Sequence, residues 1–174
     1  MSAWLSNAAP EADAMARVYV SVGSNVDRRQ NVQSSLAALK NEFGPLQQSR
    51  IYETKAVGFD GEPFYNLVVA FETGQSPLQV AATLRRIEDQ HGRQRGGVKF
   101  SDRSLDLDLL LYDDLVMSES GLTLPRAEIL RYAFVLCPLA EIAGDLKHPL
   151  NGFTFASFWE HFDATAQPMW PVEE

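Results

Sequence analysis

The stretch LDLDLLLY at positions 105–112 indicates most about the fold of this chain. Successive side chains of a β-strand point to opposite faces of the sheet. A strand here would place Leu105, Leu107, Leu109 and Leu111 on one face and Asp106, Asp108, Leu110 and Tyr112 on the other. The first face is apolar and suits a core. The two aspartates would project together from the other face, about 6 to 7 Å apart along the strand.

Outward from this strand, the pattern predicts alternating strands and helices. Residues 17–22 and 64–72 predict apolar strands, the second buried on both faces, and residues 46–53 predict a weaker one. Residues 31–43 and 77–91 predict amphipathic helices, with further helical segments at 127–132 and 138–143. The order strand, helix, strand, strand, helix, strand predicts an α+β fold, a ferredoxin-like antiparallel sheet with helices packed mainly on one face.

The length of 174 residues, 45% of them hydrophobic, predicts a single domain. We expect residues 1–16 to form a disordered N-terminal tail, residues 17–162 a single catalytic domain and residues 163–174 a C-terminal tail. The first 16 residues lack the features of a signal peptide. No stretch approaches the roughly 18 apolar residues that span a membrane, so no membrane partner is expected.

Charge and cysteine content narrow the possible functions further. A formal charge of −8 opposes general binding to nucleic acid. The single cysteine, Cys137, excludes an intramolecular disulfide, and with only three histidines in the chain it supplies no Cys/His zinc cluster. In its apolar stretch Cys137 is expected to act as a small hydrophobic residue, and the histidines as structural residues. These features favour the cytoplasm.

The pair Asp106 and Asp108 suits a hard divalent cation. Magnesium is commonly held by one or two carboxylates and completed by water and substrate phosphates. The alternative is an ordinary solvated face of an edge strand.

A basic segment directly precedes the aspartates. Residues 85–103 contain six basic and three acidic residues in a chain that is acidic overall. Arginines beside paired carboxylates favour a metal–polyphosphate site, although a solvated basic loop is the alternative. The sequence contains no P-loop motif.

Asn66 is a polar residue within an apolar strand, so its amide must be hydrogen-bonded. It would either bond to loop backbone or recognise a ligand. From residue type alone, Phe64, Phe100 and Phe134 are expected to belong to the core.

Together these motifs resemble the 6-hydroxymethyl-7,8-dihydropterin pyrophosphokinase family of folate biosynthesis. The resemblance covers roughly residues 18–149 and rests on Val22–Asn25, Phe64–Asn66, Ile87–Arg93, Arg103–Asp108 and Pro125–Leu139. The Arg-x-Leu-Asp-Leu-Asp block at 103–108 is the most specific of these stretches.

The resemblance implies transfer of the terminal diphosphate of ATP to the hydroxymethyl oxygen of the pterin, with release of AMP. It implies two Mg²⁺ ions bound by Asp106 and Asp108. We expect the protein to be a monomer. Phosphate contacts would come from Arg93 and Arg103, and nucleotide binding from Glu88, Arg95, Lys99, Arg126 and Arg131. Pterin binding would come from Thr54, Val57, Gly58, Phe64, Asn66 and Phe134, the two phenylalanines flanking the ring.

Several positions depart from the family pattern. Arg126 stands where the family has a histidine, and Tyr132 where it has an arginine, with Arg131 one step earlier. Phe100 replaces a common tryptophan. The usual Thr-Pro stretch reads Thr54-Lys55-Ala56 here, which leaves open a paralogue that uses a different pterin-like acceptor. The missing histidine and arginine leave open a module that binds pterin or nucleotide without catalysis.

Overall fold

The computed structural model describes residues 15–56, 60–92 and 104–173. The strands in these ranges are β1 (Ala16–Ser24), β2 (Gln47–Gln48), β3 (Tyr52–Thr54), β4 (Phe64–Thr73), β5 (Asp106–Tyr112), β6 (Met117–Glu119), β7 (Leu122–Leu124) and β8 (Met169–Pro171). The helices are α1 (Arg28–Phe43), α2 (Pro77–Gln90), α3 (Ala133–Ala143) and α4 (Phe155–Glu160), with a 3-10 helix (Ala127–Leu130) before α3. None of the helices in these ranges is long and apolar enough to cross a membrane.

The main sheet has the strand order β5-β1-β4-β3-β8, and β2 pairs with β4 beside β3. Every paired neighbour is antiparallel. With α1 between β1 and β2 and α2 between β4 and β5, this is the predicted ferredoxin-like arrangement, and the prediction is confirmed. Strands β6 and β7 form a separate hairpin.

Helices α1 and α2 pack on the first face of the sheet. Their predicted apolar faces are confirmed, since Val32 and Leu39 of α1 and Leu84 of α2 are buried in one cluster with alternate residues of β1, β4 and β5. Gly44 adopts a φ of +85° and donates its N–H to Lys40, which ends α1.

Helices α3 and α4 cover part of the second face. Leu136 and Leu139 of α3 and Phe155 of α4 pack with Val68 and Ala70 of β4. Strand β4 is therefore buried on both faces, as its apolar run predicts.

A β-bulge in β5 changes the predicted alternation. Val20 pairs with Leu109 and Tyr19 with Leu111, so Leu110 is an extra residue on β5. The sequence predicts Leu111 on the same face as Leu109 and Tyr112 on the other face. The bulge makes this prediction wrong for both residues. Leu111 lies in the second core cluster, and Tyr112 packs against the first.

The C-terminal residues were expected to form a tail, but part of them completes the sheet. In β8, Met169 pairs with Thr54 and Pro171 with Tyr52, while Val172 N–H donates to the Ile51 carbonyl at 2.8 Å. The sequence signal failed here because a three-residue edge strand has too little alternation to be recognised. At the other end, Ala16 already belongs to β1, and residues 1–14 of the expected N-terminal tail lie outside the described residues.

Candidate active site

The strand register brings five of the predicted site residues to the second face of the sheet. Residues directly opposite each other in a sheet point to the same side. Gly23 pairs with both Asp106 and Asn66, and Thr54 pairs with Phe64. One face, beyond the part covered by α3, therefore carries Asp106 and Asp108 on β5, Gly23 on β1, Asn66 and Phe64 on β4, and Thr54 on β3.

Gly23 provides the space for Asn66. A Cβ atom at Gly23 would lie only 2.9 Å from Asn66 Oδ1. The Asn66 amide Nδ2 donates to Thr54 Oγ1 at 2.8 Å, and the side chain is almost fully buried. Of the two roles open for Asn66, bonding to loop backbone is not seen among the described contacts. The amide is instead held by Thr54, another predicted pterin residue.

Asp108 lies between opposing charges. Arg126 Nη2 is 3.3 Å from Asp108 Oδ1. Desolvation and the charge of Asp106 raise the pKa of Asp108 to about 7, while Arg126 acts in the opposite direction. The two carboxylates resist being ionised together. A bound divalent cation would stabilise them in the charged form.

Arg126 has further capacity to bind an anion. Its Nε is buried, 3.5 Å from Glu128 Oε1, and forms no hydrogen bond within the described parts of the chain. An unbonded buried guanidinium N–H is costly. A phosphate oxygen is an acceptor that would satisfy it.

Glu88 lies on α2 and contacts the edge of β5. Its Oε2 accepts the backbone N–H of Leu107 at 2.7 Å, and the residue is buried. Leu107 separates the two aspartates. Glu88 therefore fixes the backbone from which both carboxylates project.

The predicted residues Phe134 and Arg131 lie at the start of α3. The Phe134 ring stacks on Tyr132, with 5.1 Å between ring centroids. Arg131 is exposed, and its guanidinium lies 6.0 Å from the Tyr132 ring centroid. Gln167 Oε1 accepts the N–H of Ala133 at 2.8 Å, and its Nε2 donates to the Arg131 carbonyl at 3.2 Å.

The remaining predicted residues are not placed by the structure. They lie outside the described residues and are Val57, Gly58, Arg93, Arg95, Lys99 and Arg103, together with Phe100.

The donor set near β5 fits magnesium. Within residues 15–56, 60–92 and 104–173, no three or more His, Cys, Asp or Glu side chains form a metal cage. Magnesium does not require one, because it keeps several waters and binds through one or two carboxylates plus phosphates. Asp106 and Asp108 meet that requirement.

Sequence reasoning did not assign roles to Gly23 and Gln167. A glycine within a strand is a recognisable signal of close approach, and Gly23 could have been found that way. Gln167 carries no such signal, since its partner Ala133 lies 34 residues earlier in the chain.

The fold and the site define a class of protein: a ferredoxin-like α+β domain that carries a carboxylate pair with its arginine, and an asparagine with a neighbouring phenylalanine, on one sheet face. The family model for 7,8-dihydro-6-hydroxymethylpterin-pyrophosphokinase (HPPK) matches residues 19–144. The chain belongs to this family.

Relatives agree with this family assignment. The 2-amino-4-hydroxy-6-hydroxymethyldihydropteridine pyrophosphokinase of Haemophilus influenzae is 36% identical over 141 residues, which cover 78% of this chain and 86% of the relative. The protein of the same name from Pseudomonas aeruginosa is 36% identical over 137 residues, covering 76% and 84%.

Longer proteins also match. The "Folic acid synthesis protein fol1" of Pneumocystis carinii is 35% identical over 163 residues, which cover 88% of this chain but only 21% of that protein. The crystal structure of Plasmodium falciparum HPPK-DHPS, wild type with pterin and p-hydroxybenzoate, has a TM-score of 0.70 at 14% identity and covers 92% of this chain and 44% of that one. This structural likeness supports the fold.

Proposed function

We propose that this protein transfers the terminal diphosphate of ATP to the hydroxymethyl oxygen of 6-hydroxymethyl-7,8-dihydropterin and releases AMP. The observation that carries the proposal is the sheet register. It places a carboxylate pair and the Asn66–Thr54 pair on one face, in a chain of this family.

Asp106 and Asp108 would hold two Mg²⁺ ions. Bound magnesium supplies charge neutralisation of the polyphosphate and orients it for in-line transfer. The chain supplies a fixed spacing of the two carboxylates. Glu88, a predicted nucleotide-binding residue, supports the backbone between them by accepting the N–H of Leu107.

Arg126 would bind the phosphates from the other side. Its buried Nε lies 3.5 Å from Glu128 Oε1 but forms no hydrogen bond within the described residues, so a phosphate oxygen would be a suitable acceptor. A guanidinium also presents several N–H donors in one plane, unlike the histidine that is usual at this position in the family. Arg93, Arg103, Arg95, Lys99 and Arg131 are proposed to add phosphate and nucleotide contacts, on the resemblance alone.

The pterin would bind over the other end of the same face. Asn66 offers both an amide donor and an acceptor for the polar edge of the ring, and Thr54 orients that amide. Phe64 and Phe134 would flank the ring, because stacking provides affinity while the amide provides selectivity. Val57 and Gly58 would complete the pocket.

The test is AMP release from ATP and Mg²⁺ with and without the pterin, with the pterin product identified by mass. We expect pterin-dependent AMP from the wild type. Asp108→Asn should lower turnover by at least about 100-fold, because losing a metal ligand removes several kcal/mol of charge stabilisation. Asp114→Asn, in the exposed turn after β5, is the matched control and should stay near wild type.

Full activity of Asp108→Asn would contradict the metal assignment. Binding of the pterin without AMP release would contradict the diphosphotransferase and favour a non-catalytic module.

A different pterin-like acceptor is the second candidate, and the stacking of Tyr132 on Phe134 favours it. Tyr132 covers one side of the Phe134 ring and changes the surface available to a ligand. Turnover compared across pterin analogues distinguishes the two, since preference for the ordinary folate precursor removes this candidate.

We further propose that the protein is a cytoplasmic monomer that binds neither nucleic acid nor membrane. The charge of −8 and the free thiol of Cys137 support this proposal. Sedimentation equilibrium at micromolar concentration would reveal any dimer.

A further inference from the structure

The proposed pterin site would have two walls that belong to different parts of the chain. One wall is the sheet, with Thr54 on β3 and Asn66 on β4. The other is the start of α3, with Phe134. A pterin stacked against Phe134 and bonded to Asn66 requires a fixed separation of these walls. The residues that set this separation therefore affect pterin binding without touching the pterin.

Residues after α4 contact both walls. Gln167 accepts the N–H of Ala133, the residue next to Phe134, and Met169 pairs with Thr54. Only Pro168 separates Gln167 from Met169, and two residues span at most about 7 Å. Proline also restricts the backbone torsion of this short link. The two walls are thus connected by a short, stiff segment.

Gln167 caps the start of α3, a role that the N-cap residue of this helix does not fill. The N-cap residue Tyr132 makes no side-chain hydrogen bond to the helix. The first N–H groups of a helix have no partner within the helix and need an external acceptor. Gln167 Oε1 is that acceptor for Ala133, and Nε2 holds the Arg131 carbonyl just before it.

The position of Gln167 is itself well determined. Asp163 Oδ1 accepts both the N–H and the hydroxyl of Thr165, and the Gln167 N–H donates to the Ala164 carbonyl. These local turns therefore hold the Gln167 side chain next to the start of α3. The segment lies beyond residue 144, where the family match ends.

We propose that residues 167–171 set the separation of the two pocket walls, with Gln167 as the positioning residue for Phe134. This inference rests on the proposed pterin-binding function. It predicts that loss of the Gln167 side chain weakens pterin binding and leaves nucleotide binding nearly unchanged.

The experiment measures dissociation constants by calorimetry for the pterin and for a non-hydrolysable ATP analogue with Mg²⁺. Gln167→Ala should weaken pterin binding about five- to tenfold, the loss expected for one helix-end hydrogen bond, and leave the ATP analogue within twofold. Gln167→Glu keeps the acceptor for Ala133 but loses the donor to the Arg131 carbonyl, so its pterin affinity should lie between those of Gln167→Ala and the wild type. Amide hydrogen exchange at residues 133–136 should be faster in Gln167→Ala.

Gln79→Ala is the matched control. Gln79 Oε1 accepts the N–H of Ser76 at the start of α2, after the end of β4 that lies away from Asn66. Its loss removes a similar helix-end bond, so stability should fall while pterin affinity stays the same.

Three results would each overturn this inference and leave the proposed function standing. The first is unchanged pterin affinity in Gln167→Ala, whether or not hydrogen exchange is faster. The others are an equal loss of pterin affinity in Gln79→Ala, and a pterin affinity of Gln167→Glu no higher than that of Gln167→Ala. Absence of pterin binding by the wild type would overturn the proposed function and this inference with it.

Discussion

At the scale of single residues, Gly23 shows how the backbone of one strand shapes the site on the next. The glycine has no catalytic atom, yet it leaves room for the amide that we propose reads the pterin. Any larger residue must displace Asn66, because Asn66 Oδ1 lies within 2.9 Å of the position of a Cβ.

Gly23→Ala should therefore weaken pterin binding by about fivefold and reduce binding of an ATP analogue much less. The added methyl group would push the Asn66 side chain and break its bond to Thr54, which costs about 1 kcal/mol. The measurement is pterin affinity by calorimetry. Gly74→Ala is the control, since a Cβ there meets only Met15 Sδ at an ordinary 3.7 Å. Wild-type pterin affinity in Gly23→Ala would mean that Asn66 does not contact the pterin.

The aspartate pair could be predicted at this scale, but its partner could not. The spacing of two residues on a strand places Asp106 and Asp108 on one face, and the register confirms that placement. The ion pair with Arg126 depends on where a loop 18 residues later crosses the sheet. No local pattern contains that information.

At the scale of elements, the segment between α3 and α4 contains a buried histidine. His148 Nδ1 accepts the N–H of Leu150, and its ring packs edge-on against Phe155 and Phe158. Burial lowers the pKa of His148. The fold therefore favours the neutral ring over the charged one.

The free energy of unfolding should consequently depend on pH through His148. Because the folded pKa lies below the unfolded value of about 6.5, the stabilisation is fully present above that pH and is lost as pH falls through the folded pKa. The slope from this one group cannot exceed about 1.4 kcal/mol per pH unit. Urea unfolding at pH 5 and pH 7.5 measures it.

His148→Gln should flatten this pH dependence, since the amide does not titrate and can still accept from Leu150. His161→Gln, at an exposed position, should leave the slope as in the wild type. An identical slope in His148→Gln and wild type would show that another group is responsible.

At the scale of the whole molecule, ligands should stabilise a single cooperative unit. The pocket draws on β1, β3, β4, β5 and the start of α3, so unfolding destroys it and bound ligand opposes unfolding. At 100 times the dissociation constant the gain is about 2.7 kcal/mol. For a chain of this size this corresponds to a rise in melting temperature of about 5 to 10 °C.

We therefore expect a non-hydrolysable ATP analogue to raise the melting temperature with Mg²⁺ but very little with EDTA. A polyphosphate without its metal would meet a chain of charge −8 and the side chains of Asp106 and Asp108 with no cation between them and the phosphates. Differential scanning fluorimetry measures the shift in melting temperature. The protein with Mg²⁺ but no nucleotide is the control. An equal shift with EDTA would argue against a metal-dependent nucleotide site.

The sequence by itself determined the strands and helices of the ferredoxin-like unit, the inward faces of α1 and α2, and the common face of Asp106 and Asp108. These features follow from periods of 2 and 3.6 residues, which each segment carries in its own side chains. The tertiary structure decided the bulge at Leu110, the use of residues 169–171 as a strand, and the contacts of Arg126 and Gln167. Each of these features joins groups that are far apart in the chain. A strand edge, a helix end or a charged group needs a partner from another segment, and only the packing of the whole domain selects that partner.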